Sequence, residues 1–278
     1  MEVPPKPIVS IIMPTYNRAN IIGLAIESVL KQNFKNWELL IIDNESSDNT
    51  KEVVQNHSAK DCRIKYFNVE KSEEKSLSPY FNYGIRMAKG DYIARLDDDD
   101  EWYDPGKLDK QVNFLDERFD YNLVGGGSIM VDENKRELYR FFKRETDAEI
   151  RNNALYACPF WHNTVLFRKN VAEKVGCYKN LRFGEDWELW LRLGKEGKFY
   201  NFKEYFSLYR TSGDRFSTNN QKFIVRTILG IIKQYRNDYP NYRKALLLNY
   251  LQYLYSYTPM PLKAKTQNFL FYIKRNYF

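Results

Sequence analysis

Histidine is nearly missing from this sequence: 278 residues contain only His57 and His162. A metal centre built from several imidazoles is therefore not expected. Cysteine is almost as scarce. Cys62, Cys158 and Cys177 are odd in number, widely spaced and form no C-x-x-C pair, which predicts reduced, buried thiols in a cytosolic protein. No stretch approaches the roughly 18 uninterrupted apolar residues of a membrane span. The start, Met1-Glu2-Val3-Pro4-Pro5-Lys6-Pro7, lacks the apolar core of a signal peptide, so a cytoplasmic location is expected. Neither G-x-G-x-x-G nor a P-loop occurs, which removes the usual dinucleotide and ATP-type phosphate cradles. Repeats, low-complexity segments and nucleic-acid-binding motifs are absent too.

What is present is a chain rich enough in apolar residues, 43%, to build a sizeable core. Its formal charge of +7 is compatible with nucleic acid, an anionic membrane surface or phosphorylated substrates. The first hundred residues alternate. Apolar runs at Ile8–Met13, Trp37–Ile42, Ile64–Phe67 and Tyr92–Leu96 read as buried strands. Between them, Ile22, Ala25, Ile26 and Val29 recur at helical spacing. Ser46–Thr50 supplies N-cap chemistry for a short helix, and Ser78-Pro79 opens another that ends near Gly90. This β-α-β-α-β-α-β order predicts a mostly parallel sheet with right-handed crossovers and helices on its faces.

The fourth strand runs into Asp97-Asp98-Asp99-Asp100-Glu101. Like charges this close repel and raise one another's pKa, so a positive partner is expected, most simply a divalent metal with oxygen ligands. A solvated acidic turn is the plainer reading of such a run. Its position favours the metal, because ligands of α/β sheets bind at the carboxyl ends of strands. Thr15/Tyr16 and Asp43 end strands one and two, so three polar clusters share one rim of nucleotide size.

Further on, Asp104 and Pro105 read as the N-cap and first residue of a helix whose apolar face is Leu108, Val112, Leu115 and Phe119. Leu123–Val131 reads as a strand, its Gly125–Gly127 marking a bulge or the close approach of a ligand. Residues 132–153 read as a charged excursion with a short helix, Thr164–Phe167 as a strand and Lys169–Val175 as a helix. Trp187, Trp190, Leu191 and Leu193 have the buried spacing of a helix with Glu185 and Asp186 at its N-terminus, where the dipole favours ionised carboxylates. Phe199–Phe202 and Phe206–Tyr209 read as two short strands, 210–220 as a lid, and the basic, tyrosine-rich remainder as helical.

Five pieces occur in order: Pro14-Thr15-Tyr16-Asn17-Arg18; Ile42–Asp48; Asn82-Tyr83-Gly84-Ile85 with Ala88–Tyr92; Leu96–Asp100 with Trp102 and Lys107-Leu108; and Glu185–Arg192. Together with His162, Thr164 and Phe167-Arg168 they resemble the family 2 inverting glycosyltransferases of GT-A fold, over roughly residues 7 to 215. The resemblance implies an α/β GT-A domain at 1–218, with a nucleotide-binding half (1–100) and an acceptor-side half (101–218), followed by a helical extension at 219–278.

The resemblance also implies roles. Pro14, Thr15, Tyr16, Arg18, Asp43, Asn82, Asp97 and Asp98 would bind the nucleotide-sugar. Asp99 would hold the metal, Mn2+ or Mg2+. Asp186 would be the general base, and Trp102, His162 and Glu185 would face the acceptor. The donor would be a UDP- or dTDP-sugar and the acceptor a glycan or lipid-linked hydroxyl. Several positions depart from the family's habit. Phe81 stands where an arginine is common, Ser76 where glycine is, Asp43-Asn44 where an acidic pair is, and Thr211 follows Tyr209-Arg210 where many relatives carry histidine. Two other readings compete. A sugar nucleotidyltransferase would need a glycine-rich basic loop after strand one, which Pro14–Arg18 is not. A non-catalytic basic module for an anionic polymer would not need an acidic rim. The C-terminal helices complete the fold or, with Lys263, Lys265, Lys274 and Arg275 among Phe269, Phe271, Tyr272 and Phe278, form a peripheral membrane helix.

Overall fold

A computed structural model describes residues 7–72, 76–211 and 220–258. Its first half follows the alternation of the sequence: β1 (Val9–Thr15), α1 (Ile22–Leu30), β2 (Trp37–Asp43), α2 (Thr50–Ser58), β3 (Ile64–Asn68), α3 (Ser78–Met87) and β4 (Tyr92–Arg95). These four strands are parallel, in the order β3-β2-β1-β4. Side chains alternate across a strand. Ile12, Leu40 and Ile42 therefore enter one apolar layer with Phe81 and Ile85 of α3. Ile11, Met13, Leu39 and Ile41 enter the other, with Ile22, Ile26 and Val29 of α1.

The second half contributes β5 (Glu101–Trp102), α4 (Lys107–Glu117), β6 (Tyr121–Val131), β7 (Glu137–Phe141), α5 (Asp147–Asn153), β8 (Leu166–Arg168), α6 (Lys169–Lys174), α7 (Glu185–Glu196), β9 (Lys198–Arg210), α8 (Gln221–Gln234) and α9 (Tyr242–Tyr255). The sheet continues β4-β8-β6-β9-β5, with β7 on the side of β6. It turns mixed here, because β8 lies antiparallel to β4 and to β6.

Several expectations need correction. The α4 helix starts at Lys107, after Pro105. The Asp104 carboxylate accepts from Gly106 N instead (2.8 Å), closing a turn ahead of the helix. Phe119 falls beyond α4 and is 82% exposed. The charged excursion contains a strand, β7, paired with β6, and a helix with a capping box between Thr146 and Glu149. The two final short strands are one, β9, which crosses an irregularity where two steps along β6 face four along β9. Gly126 lies at this place. A Cβ there would come within 2.4 Å of the Phe206 ring, so the glycines admit the protein's own aromatic side chains. Cys62 is exposed rather than buried. The lid expected at 210–220 lies outside the described residues from 212 to 219, as does the basic tail from 259.

The α8 helix docks on α7. Tyr235 Oη donates to Glu188 (2.6 Å) and Tyr239 Oη to the Leu191 carbonyl (2.7 Å), while Ile231 and Ile232 join the core. The α9 helix packs in turn on α8, burying Ala245.

Candidate active site

Two loops are knitted together where β1 and β2 end. Asn44 N donates to the Thr15 carbonyl (3.0 Å). Asn17 N donates to Ser46 Oγ (2.8 Å), Arg18 N to Thr50 Oγ1 (2.8 Å) and Ala19 N to Asp48 (3.0 Å). Asp43 is fully buried. One of its oxygens accepts from Ser46 N and Oγ, the other from Tyr66 Oη (2.6 Å). Tyr16 is exposed at the mouth, with the Lys71 ammonium 5.1 Å from its ring. Arg18 reaches across to the end of β4, 3.5 Å from Asp98 and 3.6 Å from Asp99.

The aspartates themselves divide. Asp97 lies between Arg95 Nε (3.2 Å) and His162 Nε2 (2.8 Å), the latter out of line for a well-formed N–H···O bond. Burial opposes its ionisation, but Arg95 and His162 outweigh burial and hold Asp97 well below the usual carboxylate range. Burial pushes Asp98 up to about 7. Burial also raises Asp99, with Asp97 adding to it. Asp100, raised by burial and by Asp97 and Asp99, accepts from Arg210 N (2.8 Å) and Asn163 Nδ2 (2.7 Å). Such a rim is short of positive charge.

On the opposite side α7 begins at Gly184, whose φ of 72° suits glycine. Asp186 follows in the first turn and accepts from Trp187 N (2.7 Å). Its other oxygen lies 3.8 Å from His162 Nδ1 and 3.9 Å from Cys158 Sγ. Burial and the neighbouring Asp186 raise Glu185 above the ordinary carboxylate range. His162 thus stands between Asp97 and Asp186, with one ring nitrogen toward each.

A model of glycosyl transferase family 2 matches residues 10–176. The chain is 32% identical over 82% of its length to a GalNAc(5)-diNAcBac-PP-undecaprenol β-1,3-glucosyltransferase of Campylobacter jejuni, covering 72% of that protein. It belongs to glycosyl transferase family 2. Among solved structures it superposes on S. aureus TarS 1–349 in complex with UDP-GlcNAc at a TM-score of 0.64 and 20% identity, covering 81% of this chain and 66% of that one. It superposes on the mannosyltransferase PcManGT from Pyrobaculum calidifontis, in complex with GDP-Man and Mn2+, at 0.65 and 16%, covering 98% and 81%. The fold is the expected GT-A.

Within this glycosyltransferase, Pro14, Thr15, Tyr16, Arg18, Asp43, Asp97, Asp98 and Asp99 gather at one rim, with His162, Glu185 and Asp186 facing them. Two expected residues do not join. Asn82 spends both ends of its amide on the Tyr178 backbone, donating to the carbonyl (2.8 Å) and accepting from N–H (2.9 Å), so it clamps the segment leading to α7. Trp102 is buried, its indole N–H donating to the Asn163 carbonyl (2.9 Å) and its ring covered by the Lys107 ammonium. It reaches the aspartates only through Asn163, whose amide donates to Asp100 (2.7 Å).

Ligand atoms of Asp97, Asp100 and His162 lie within 4.8 Å of one another, and Asp99 is not in that group. Carboxylate oxygens suit Mg2+ or Mn2+; burial is the first cause of the raised pKa values of Asp98, Asp99 and Asp100.

Arg95 is the residue that sequence reasoning passed over. It is buried, its guanidinium 4.0 Å above the Phe81 ring and 3.7 Å from Glu185. A cation two residues before an acidic run, in an otherwise apolar strand, was the available signal. It brings a positive charge to the face of Phe81, the position where an arginine is common in the resembling family.

Proposed function

We propose that this protein is an inverting glycosyltransferase that moves a sugar from a UDP- or dTDP-sugar to a hydroxyl of a glycan or lipid-linked acceptor, working peripherally at the cytoplasmic face of a membrane. One observation carries the reading: His162 spans Asp97 at the end of β4 and Asp186 at the start of α7, so the carboxylates proposed to bind the donor and to take the proton would face each other across a single imidazole. The UDP-GlcNAc bound by TarS and the undecaprenol-linked name of the Campylobacter relative support donor and acceptor classes.

In this reading Tyr16 and Asp43 receive the base, Asp97 the ribose, and Arg18 the diphosphate. Asp99 would hold the metal, and Asp97, Asp100 and His162 form a second group of carboxylates and imidazole that could hold one. A divalent cation held there would supply charge neutralisation for the departing nucleoside diphosphate. Asp186 takes the acceptor hydroxyl's proton as its oxygen bonds to the anomeric carbon. The bond from that carbon to the phosphate oxygen breaks, and the nucleoside diphosphate leaves with the electron pair. A single displacement inverts the centre, and the oxocarbenium-like transition state needs no covalent nucleophile.

The test is a panel of UDP-, dTDP- and GDP-sugars with Mn2+ and candidate acceptors, following nucleoside diphosphate release and the product's anomeric configuration by NMR. An inverted product is expected. Asp186→Asn should lower kcat by roughly a hundred- to ten-thousand-fold without weakening UDP binding. A retained configuration, or full activity in Asp186→Asn, would overturn it.

A further inference from the structure

The outermost helix carries an apolar stripe that nothing described in the molecule covers. On α9, Leu247 is 61% exposed, Leu251 53% and Leu254 64%, with Tyr250 and, in the turn just past the helix, Tyr257 also exposed. Positions 243, 247, 250, 254 and 257 fall on one side of a helix, three or four residues apart. The opposite side, at Ala245 and Asn249, is buried. Scattered exposed leucines are ordinary, but a contiguous apolar face with a polar rim marks an interaction site.

The rim is basic. Arg243 and Lys244 stand exposed at the head of the stripe. From α8, the Lys222 ammonium lies 4.0 Å from the Tyr257 ring, and Lys233 donates to Tyr250 Oη (3.1 Å). Residues 219–278 hold ten of the chain's 43 Lys and Arg but one of its 36 acidic residues, Asp238. That one is paired with Lys195 (2.7 Å). Residues 219–278 therefore carry a net charge of +9, more than the +7 of the whole chain.

We propose that the outward face of α9, rimmed by Lys222, Lys233, Arg243 and Lys244, docks on an anionic phospholipid bilayer. This deepens the peripheral-membrane reading given above and rests on it. The leucines would enter the acyl boundary, the tyrosines would lie at headgroup level and the lysines would reach anionic headgroups. Charge selects this occupant over two others. A second copy in a two-fold interface would set the same basic rim against itself. The chain's own last twenty residues would add Lys263, Lys265, Lys274 and Arg275 and no acidic partner.

The experiment is co-sedimentation of the full chain with phosphatidylcholine vesicles, with and without an equal part of phosphatidylglycerol, at low and high salt. The parent should bind the anionic vesicles and release at high salt. Leu247→Ser/Leu251→Ser/Leu254→Ser and Lys222→Glu/Lys233→Glu should each bind roughly tenfold more weakly or worse, with unchanged thermal midpoint and unchanged molar mass by light scattering. Failure of the parent to bind would overturn the membrane reading itself. Parental binding by both variants would leave that reading standing and overturn this surface. A lowered midpoint or a dissociated dimer in the leucine variant would show that the stripe is covered by protein, and would overturn the proposal as well.

Discussion

Replacing Arg95 with methionine isolates the charge that the acidic rim depends on. The substitution keeps an unbranched side chain over Phe81 and deletes the guanidinium. In the parent that group lies 3.2 Å from Asp97 and 3.7 Å from Glu185, and is itself buried. A pair of charges 4 Å apart at an effective dielectric of 20 is worth about 4 kcal/mol. Removing one partner of a buried pair costs about 3–5 kcal/mol, because the other charge is left uncompensated. His162 still faces Asp97, so the lower end applies, about 3 kcal/mol. For a protein of this size that corresponds to a fall in Tm on the order of 10 °C. Thermal and urea unfolding in the presence of chelator measure it. The cycle Arg95→Met, Asp97→Asn and the double variant should return a coupling of at least about 1 kcal/mol. A Tm within a degree or two of the parent, or additive single effects, would mean that Arg95 does not hold the Asp97 charge.

Further outcomes follow from other contacts. Glu38 is buried and accepts from Ser10 Oγ (2.7 Å), Lys89 N (2.6 Å) and Lys65 Nζ (2.5 Å). Burial opposes its ionisation, but these partners lower its pKa. Its stabilisation is therefore complete above the unfolded value of about 4.3 and lost as pH falls through the folded one. Glu38→Gln should be about 2 kcal/mol less stable at pH 7, and denaturant melts should show the gap closing on acidification below that value. Gly126→Ala, with its Cβ 2.4 Å from Phe206, should lose about 1–3 kcal/mol through overpacking, read as a lower urea midpoint. Tyr235→Phe removes a hydrogen bond to the Glu188 carboxylate and should cost about 1.5 kcal/mol in the same assay.

How much was legible in the sequence follows from the range of each interaction. The β1–β4 half was readable because uninterrupted apolar strands and amphipathic helices are local signals. So was the start of α7, where Trp187 and Trp190 keep helical spacing behind two acids. Phe119 misled because a helical period does not say where α4 ends, and Asp104 because the same side chain serves a turn as well as a cap. The β7 strand was hidden because an exposed edge strand has no apolar run to show. Asn82 and Trp102 matched their motifs, yet each is spent on backbone partners 96 and 61 residues away, which no local pattern encodes. Arg95 carried a local signal, a cation just before the acidic run, but its partner Glu185 on α7 is distant in sequence and meets it only across the rim in space.

If the proposed function is right, a metal-assisted nucleotide-sugar site lies at the ends of β1, β2 and β4. The most direct measurement is UDP binding by calorimetry with Mn2+ and with chelator, in the parent and in Asp97→Asn and Asp99→Ala. Mn2+ should tighten binding by about tenfold or more, some 1.4 kcal/mol, with that metal effect lost in Asp99→Ala and UDP binding itself weakened in Asp97→Asn. UDP affinity that is the same with Mn2+ and with chelator, or no binding of UDP, dTDP or GDP under either condition, would contradict it.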